Sequence, residues 1–343
     1  MVDITVLLPD TASSTRWEND DKRFLSSAFD AAGVGYNIVN AEGDPEVQLD
    51  QAREAIANGT RVILMVNLDS TSGAQIIELA RRANVYIIDY DRLTIEGDGA
   101  DFYVSFNNDA VGRLQGEGLL LAVDEAELEE PVRVVLLNGS PTDNNATLYK
   151  QGYDSVINSR FESGEWIKVE DRAVPGWDND EARIIFDLML DENDEEIDAV
   201  IAANDGLAGS VIAALEARNL PYVPVTGQDA TIEAIQNILA GKQSMTVYKA
   251  IKAEAEAAAK LAIALIKGDD PSGLVNGITN NGRNEIPSVL LFPIAVTSDN
   301  ITATVIADGF RTWEEVCIGE FVQYCPEPYN VPTESTPEAT ETP

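Results

Sequence analysis

The sequence predicts an α/β protein of two Rossmann-like lobes, each a parallel sheet with helices on both faces, with a ligand cleft between them. Three observations predict this. Short β-rich runs alternate strictly with helical patterns over residues 4–90, and the same rhythm restarts after residue 109 and runs to residue 267. Strands alternating with amphipathic segments form parallel sheets covered by helices. A chain of 343 residues also exceeds the roughly 250–300 at which a single hydrophobic core stops growing. In open parallel sheets, ligands sit beyond the carboxyl ends of the strands, so two such lobes face one another across a cleft.

In chain order, Ile4–Leu8 is a β-rich run ended by Pro9-Asp10, and a helical pattern follows from Trp17 to Ala32 until Gly33 and Gly35 stop it. Tyr36–Val39 is the next strand, and 45–58 a helix with Pro45 in its first turn, where the missing N–H costs nothing. Arg61–Val66 is a buried-type strand, 71–83 a helix and Val85–Tyr90 a strand. In the second half, helices are expected over 109–123, 144–160, 178–190, 205–218, 230–240 and 250–267. Strands are expected at Val132–Leu137, Trp166–Glu170, Ala199–Ala202, Val223–Gly227 and Met245–Tyr248. From Pro326 onward the chain is rich in Pro, Thr and Glu without apolar periodicity, the composition of a disordered spacer.

Composition narrows the function. With 23 basic against 59 acidic residues the net charge is −36. A phosphate backbone or an anionic membrane face needs the opposite sign, so neither nucleic acid nor an anionic membrane surface is an expected partner. There is no histidine, which removes the usual general base and the commonest zinc ligand. Neither a metal nor a cofactor is expected: no Walker A or GxGxxG sequence occurs, and the acidic run Asp191–Asp198 lacks the glycine of a calcium loop. The two cysteines, Cys317 and Cys325, are isolated and closely spaced. They suit a small disulfide loop formed in an oxidising compartment, against the alternative of two free thiols. No stretch reaches the roughly 20 apolar residues of a membrane span. The chain enters its first strand at once, as a mature chain does when its export leader has been removed.

The ends of the predicted strands hold the residues that would line a cleft. They are Arg16 and Trp17, Asp91 and Arg92, the run Asn138–Asn145 with Asn144 and Asn145, Trp177, Asn204, Asp229 and Lys249. Singly, each has an ordinary structural explanation: Asn144 or Asp205 as a helix N-cap, Trp17 and Trp177 as core, Lys249 as a solvated side chain. Together they make a set. Carboxylates accept from hydroxyls, Arg, Lys and Asn donate to them, and indoles pack on apolar C–H faces. A pyranose offers both hydroxyls and such faces, so the set matches a sugar better than a nucleotide or an amino acid.

These residues stand in stretches that resemble the xylose- and multiple-sugar-binding proteins of the type I periplasmic-binding-protein family. The stretches are Arg16-Trp17, Ile88–Arg92, Asp101–Asn108, Gly139–Ala146, Ala203–Asp205, Gly227–Ala230 and Met245–Lys249, followed by Asn280–Gly282 and Ile306–Phe310. The resemblance covers residues 3–312. It implies a monomeric extracytoplasmic receptor that delivers an aldopyranose to the permease of an ABC importer. It implies three crossing segments between the lobes, near Phe106–Asn108, Val247–Lys249 and Thr279–Arg283. The first lobe would then hold 3–106 and 249–280, and the second 108–247 and 284–312, with a cysteine-containing extension at 313–325 and the tail at 326–343. It implies that Arg16, Asp91 and Arg92 bind hydroxyls from the first lobe, and that Asn144 or Asn145, Asn204 and Asp229 do so from the second. Lys249 would act at the hinge, with Trp17 and Trp177 on the ring faces.

Two alternatives remain beside this expectation. A sugar-sensing effector domain of a regulator or chemoreceptor pathway would share the fold. A glycosidase would need a carboxylic acid of raised pKa beside the scissile bond, and the cations next to Asp91 and Asp229 favour ionised acceptors instead.

Overall fold

A computed structural model describes residues 2–330. The first lobe is built on β1 (Ile4–Leu8), α1 (Lys22–Ala32), β2 (Tyr36–Asn40), α2 (Pro45–Ala57), β3 (Val62–Met65), α3 (Ser70–Arg82), β4 (Tyr86–Tyr90) and β5 (Phe102–Phe106). The chain then forms the second lobe through α4 (Asn108–Glu125), β6 (Val132–Asn138), α5 (Asn144–Ser163), β7 (Trp166–Ala173), α6 (Asn179–Glu192), β8 (Ala199–Ala202), α7 (Asp205–Arg218), α8 (Ile232–Leu239) and β9 (Thr246–Tyr248). It returns through α9 (Ile251–Lys267), β10 (Gly277–Asn280) and β11 (Glu285–Leu291), and ends with β12 (Ile294–Val296) and the short α10 (Trp313–Val316).

The first sheet has the order β10-β11-β5-β4-β3-β1-β2, parallel except at β10. Alternation along each strand feeds two cores. Ile4, Val6 and Leu8 pack with Leu25 and Phe29 of α1 and with α9. Leu7, Ile63 and Met65 point the other way, to α2 and α3. α9 lies close on the sheet because its inward residues, Ala255, Ala258, Ala259 and Ala262, follow helical spacing and are small. In the second lobe β7-β6-β8 are parallel. The sheet continues through the Val200–Val225 bridge, and the Val247 N–H donates to Gly227 O at 3.0 Å, joining the β9–β12 pair. The expected strand Val223–Gly227 is reduced to that bridge, since Pro224 has no N–H for a ladder. Helices α4 and α5 touch backbone to backbone: a Cβ at Gly112 would lie 2.0 Å from Tyr149 O.

Three features differ from expectation. The segment 284–312 was expected in the second lobe, but β11 pairs with β5 in the first sheet, Ser288 opposite Tyr103. Asn281-Gly282 turns the chain back into the same sheet, with Asn281 N–H donating to Asn284 O at 3.1 Å and Gly282 at φ 94°. Asn-Gly is a hairpin signal, so Thr279–Arg283 is a turn, and the chain crosses instead at Phe292-Pro293, between β11 and β12. The chain also passes between the sheets at Asn107, between β5 and α4, and at Lys249, between β9 and α9. Second, Trp17–Asp21 winds as a π-helical turn before α1. Third, the tail does not leave the protein at Pro326. Tyr329 packs on Trp313, ring centroids 6.2 Å apart, because an aromatic ring among the polar residues finds an apolar partner. The expectation for residues 331–343 lies outside the described residues. The Cys317–Cys325 disulfide is present.

Candidate ligand-binding site between the lobes

The π-helical turn after β1 turns Arg16 and Trp17 inward. Such insertions recur at functional sites because they re-aim side chains. Arg16 is 3% exposed and uses its whole fork. Nε and Nη2 donate to Asp21, Nη1 to Asp91 Oδ2 and Nη2 to Glu254 Oε2, each at 2.8 Å. Burial alone would lower its pKa, but Asp21, Asp91 and Glu254 overcome this and hold the guanidinium firmly charged. It lies 4.4 Å from the Trp17 ring centroid.

Asp91 follows β4 at φ 63°, a left-handed conformation that aims its carboxylate back into the cleft. Burial would raise its pKa, yet Lys249, Arg16 and Arg92 outweigh burial and hold the carboxyl at about 2. From the second lobe, Asn145 Nδ2 donates to Asp91 Oδ1 at 3.1 Å, and Asn145 Oδ1 is fixed by Asn108 Nδ2 at 2.8 Å. Arg92 pairs with Asp143 at 3.0 Å. Asp143 is the N-cap of α5 and also accepts from Trp177 Nε1 at 3.1 Å. The Trp177 ring lies over Gly139, where a Cβ would fall 2.0 Å from it; a side chain at 139 would displace the indole.

Asn204 caps α7, accepting from Leu207 N–H at 2.9 Å, which leaves its amide nitrogen for the cleft. Asp229 stands at φ 109°. Between β9 and α9, Lys249 Nζ lies 3.3 Å from Asp229 Oδ1 and 3.6 Å from Asp91 Oδ2. Burial acts to lower the Lys249 pKa, but Asp91, Tyr149 and Asp229 push it above its ordinary value. Two buried acceptors on this cavity make no hydrogen bond among the described residues: Gln228 Oε1, and Asp229 Oδ1, which has only its ion pair with Lys249. Buried polar groups are seldom left so, and here they face the cavity between the lobes.

Arg16, Trp17, Asp91, Arg92, Asn145, Trp177, Asn204, Asp229 and Lys249 all line this one cavity. Asn144 does not; it is half-buried at the first position of α5, and of the two asparagines it is Asn145 that turns inward. The caps of α5 and α7 are Asp143 and Asn204, so neither Asn144 nor Asp205 is a cap. Ser13, Ser14, Asp143, Tyr149 and Gln228 complete the lining. Tyr149 was legible as the residue one helical turn beyond Asn145; Ser13 and Ser14 carry no pattern that marks them.

Fold and cavity together define a two-lobed binding protein with a cavity lined by groups from both lobes. Residues 4–270 match the periplasmic binding protein domain family, and the chain belongs to that family, with the type I fold. It is 36% identical over 302 residues, 88% of each chain, to the D-xylose-binding periplasmic protein of Escherichia coli (strain K12). It is 30% identical over 317 residues to a multiple sugar-binding periplasmic protein of Azospirillum brasilense, again with 88% of each chain covered. Among solved structures it is similar to a carbohydrate transporter solute binding protein from Chloroflexus aurantiacus in complex with D-glucose. There the TM-score is 0.84 and the identity 27%, over 92% of this chain and 98% of that one.

Proposed function

We propose that this chain is the extracytoplasmic solute-binding protein of a carbohydrate ABC importer. It binds one aldopyranose, D-xylose or D-glucose, by closure of its lobes and, as a monomer, hands the sugar to the membrane permease. The observation that carries this is the set of charged acceptors and donors converging on one cavity from both lobes, with two indoles beside them. Arg16, Asp91, Arg92, Asn145, Asn204, Asp229 and Lys249 would bind hydroxyls, and Trp17 and Trp177 would meet the ring faces. The relatives named above, with xylose, multiple sugars and glucose as ligands, support the sugar class. The periplasmic setting of the xylose- and multiple sugar-binding relatives and the disulfide support the compartment.

The electrostatics of Asp91 support binding without catalysis. A glycosidase acid must hold its proton near neutral pH, and Asp91 is held at about 2. A thermal-shift panel tests the proposal, since a ligand that binds only the folded state raises the melting temperature. D-xylose or D-glucose should stabilise the protein, and amino acids and nucleotides should not. No shift with any aldopyranose would overturn it.

A further inference from the structure

Asp205 is 5% exposed and stands at the first position of α7 without capping it. Its carboxylate reaches sideways to the turn that carries Asp229. Oδ2 accepts from Thr231 N–H at 2.9 Å, and Oδ1 accepts from Thr246 Oγ1 at 2.7 Å and Gln243 Nε2 at 3.1 Å. The Asp205 N–H donates to Gln228 O at 3.0 Å. Thr246 passes the hold on, because its oxygen accepts from Ala230 N–H at 3.2 Å. Asp205 thus holds the turn on both sides of Asp229, by its backbone N–H at Gln228 and by its side chain at Thr231 and, through Thr246, at Ala230. The approach is close enough that a Cβ at Gly227 would lie 2.2 Å from Asp205 Oδ1.

The turn needs holding. Asp229 and Ala230 lie at φ 109° and φ 50°, and two consecutive non-glycine residues at positive φ persist only where the surroundings over-determine them. Released, the pair would relax toward negative φ and swing the Asp229 carboxylate away from Lys249. We propose that Asp205 is a positioning residue for ligand binding, acting through Asp229 by clamping the 228–231 turn in its strained form.

This rests on the proposed sugar site, and a double-mutant cycle separates the two. At pH 8, where the wild-type carboxyl is ionised, Asp205→Asn replaces one acceptor oxygen with an N–H donor that faces Thr231 N–H or Gln243 Nε2, which loosens the clamp while conserving volume. Calorimetry or thermal-shift titration with D-xylose and D-glucose should show about a ten-fold weaker Kd for Asp205→Asn in the wild-type background, and less than about two-fold in the Asp229→Ala background. In the Trp177→Ala background the ten-fold loss should persist. Thr246→Val, which cuts the relay to Ala230 and keeps the shape, should show the same pattern and serves where Asp205→Asn fails to fold. Equal losses in the wild-type and Asp229→Ala backgrounds, or no loss at all, would overturn the role of Asp205. A wild-type protein that binds neither sugar overturns the sugar assignment instead.

Discussion

Asn145 of the second lobe donates its amide N–H to the Asp91 carboxylate of the first, at 3.1 Å, inside the cavity that both residues line. The same Nδ2 also reaches the Asp91 carbonyl at 3.1 Å, so the lobes meet through a polar contact that needs no ligand. Asn145→Ala removes it and leaves Asn108 Nδ2 without its 2.8 Å acceptor. A hydrogen bond to a charged partner contributes roughly 1.5–3 kcal/mol, so sugar affinity should fall by about ten-fold or more, with the fold retained by circular dichroism. An unchanged affinity would show that this contact does not belong to the bound state.

Each lobe supplies only part of the lining, so a ligand gains all its partners only when the lobes are together, and it favours that form by differential contact. On the proposed reading, the crossings at Asn107, Lys249 and Phe292-Pro293 would serve as the hinge. Small-angle scattering should show a smaller radius of gyration with saturating sugar than without. Identical profiles would contradict hinge closure.

Asp89 gives a pH signature. Burial pushes its carboxyl up to about 7, against the opposing bonds from Thr94 N–H at 2.7 Å and Thr94 Oγ1 at 2.9 Å. In the unfolded chain the group ionises near 3.8. Between those values the folded state holds a proton that the unfolded state has lost, so stability declines as pH rises from about 4 to about 7 and then levels. Asp205, also raised to about 7 by burial, acts in the same direction. Asp91, held at about 2, has the opposite sign: its contribution is present above pH 4 and is lost as pH falls toward 2. In Asp89→Asn the melting temperature relative to wild type should rise between pH 5 and pH 8. A constant difference would mean that Asp89 is not titrating there.

The disulfide has a local task. Cys317 and Cys325, 8 positions apart, close the chain after α10. Trp313 and Val316 of α10 pack with Ile235 and Ile238 of α8, and Gln236 Nε2 donates to Val316 O at 2.8 Å. Closing so short a loop constrains the unfolded chain by about 2–3 kcal/mol. The Cys317→Ser, Cys325→Ser double variant should melt at a lower temperature. Its sugar affinity should stay within about two-fold, since neither cysteine lines the cavity; a larger loss would tie the extension to the site.

What the sequence revealed follows from periodicity. The alternation from Ile4 to Tyr90 was readable because a helix separates each strand from the next. Phe102–Phe106 was not recognised as a strand, since no helix stands between it and β4, and β10–β11 form a hairpin outside the βα rhythm. That hairpin is also why the third crossing was misplaced. The cavity was largely legible because the carboxyl ends of parallel strands converge; the choice between Asn144 and Asn145 depends on which face of α5 turns inward. The contacts of Asp205 were hidden, because its partners lie 26, 38 and 41 positions away and only the fold brings them together.

The central claim is that a sugar binds between Asp91, Asp229 and Lys249. Calorimetric titration of Asp229→Ala with the better of D-xylose and D-glucose tests it most directly. Loss of one charge-assisted hydrogen bond at roughly 1.5–3 kcal/mol predicts affinity weaker by about one to two orders of magnitude. Trp177→Ala should weaken binding comparably through lost ring contact. Alanine variants of Glu195 and Glu196, whose ion pairs with Arg218 and Arg133 lie at the surface, should titrate as wild type. Wild-type affinity in Asp229→Ala would contradict the account and place the sugar elsewhere.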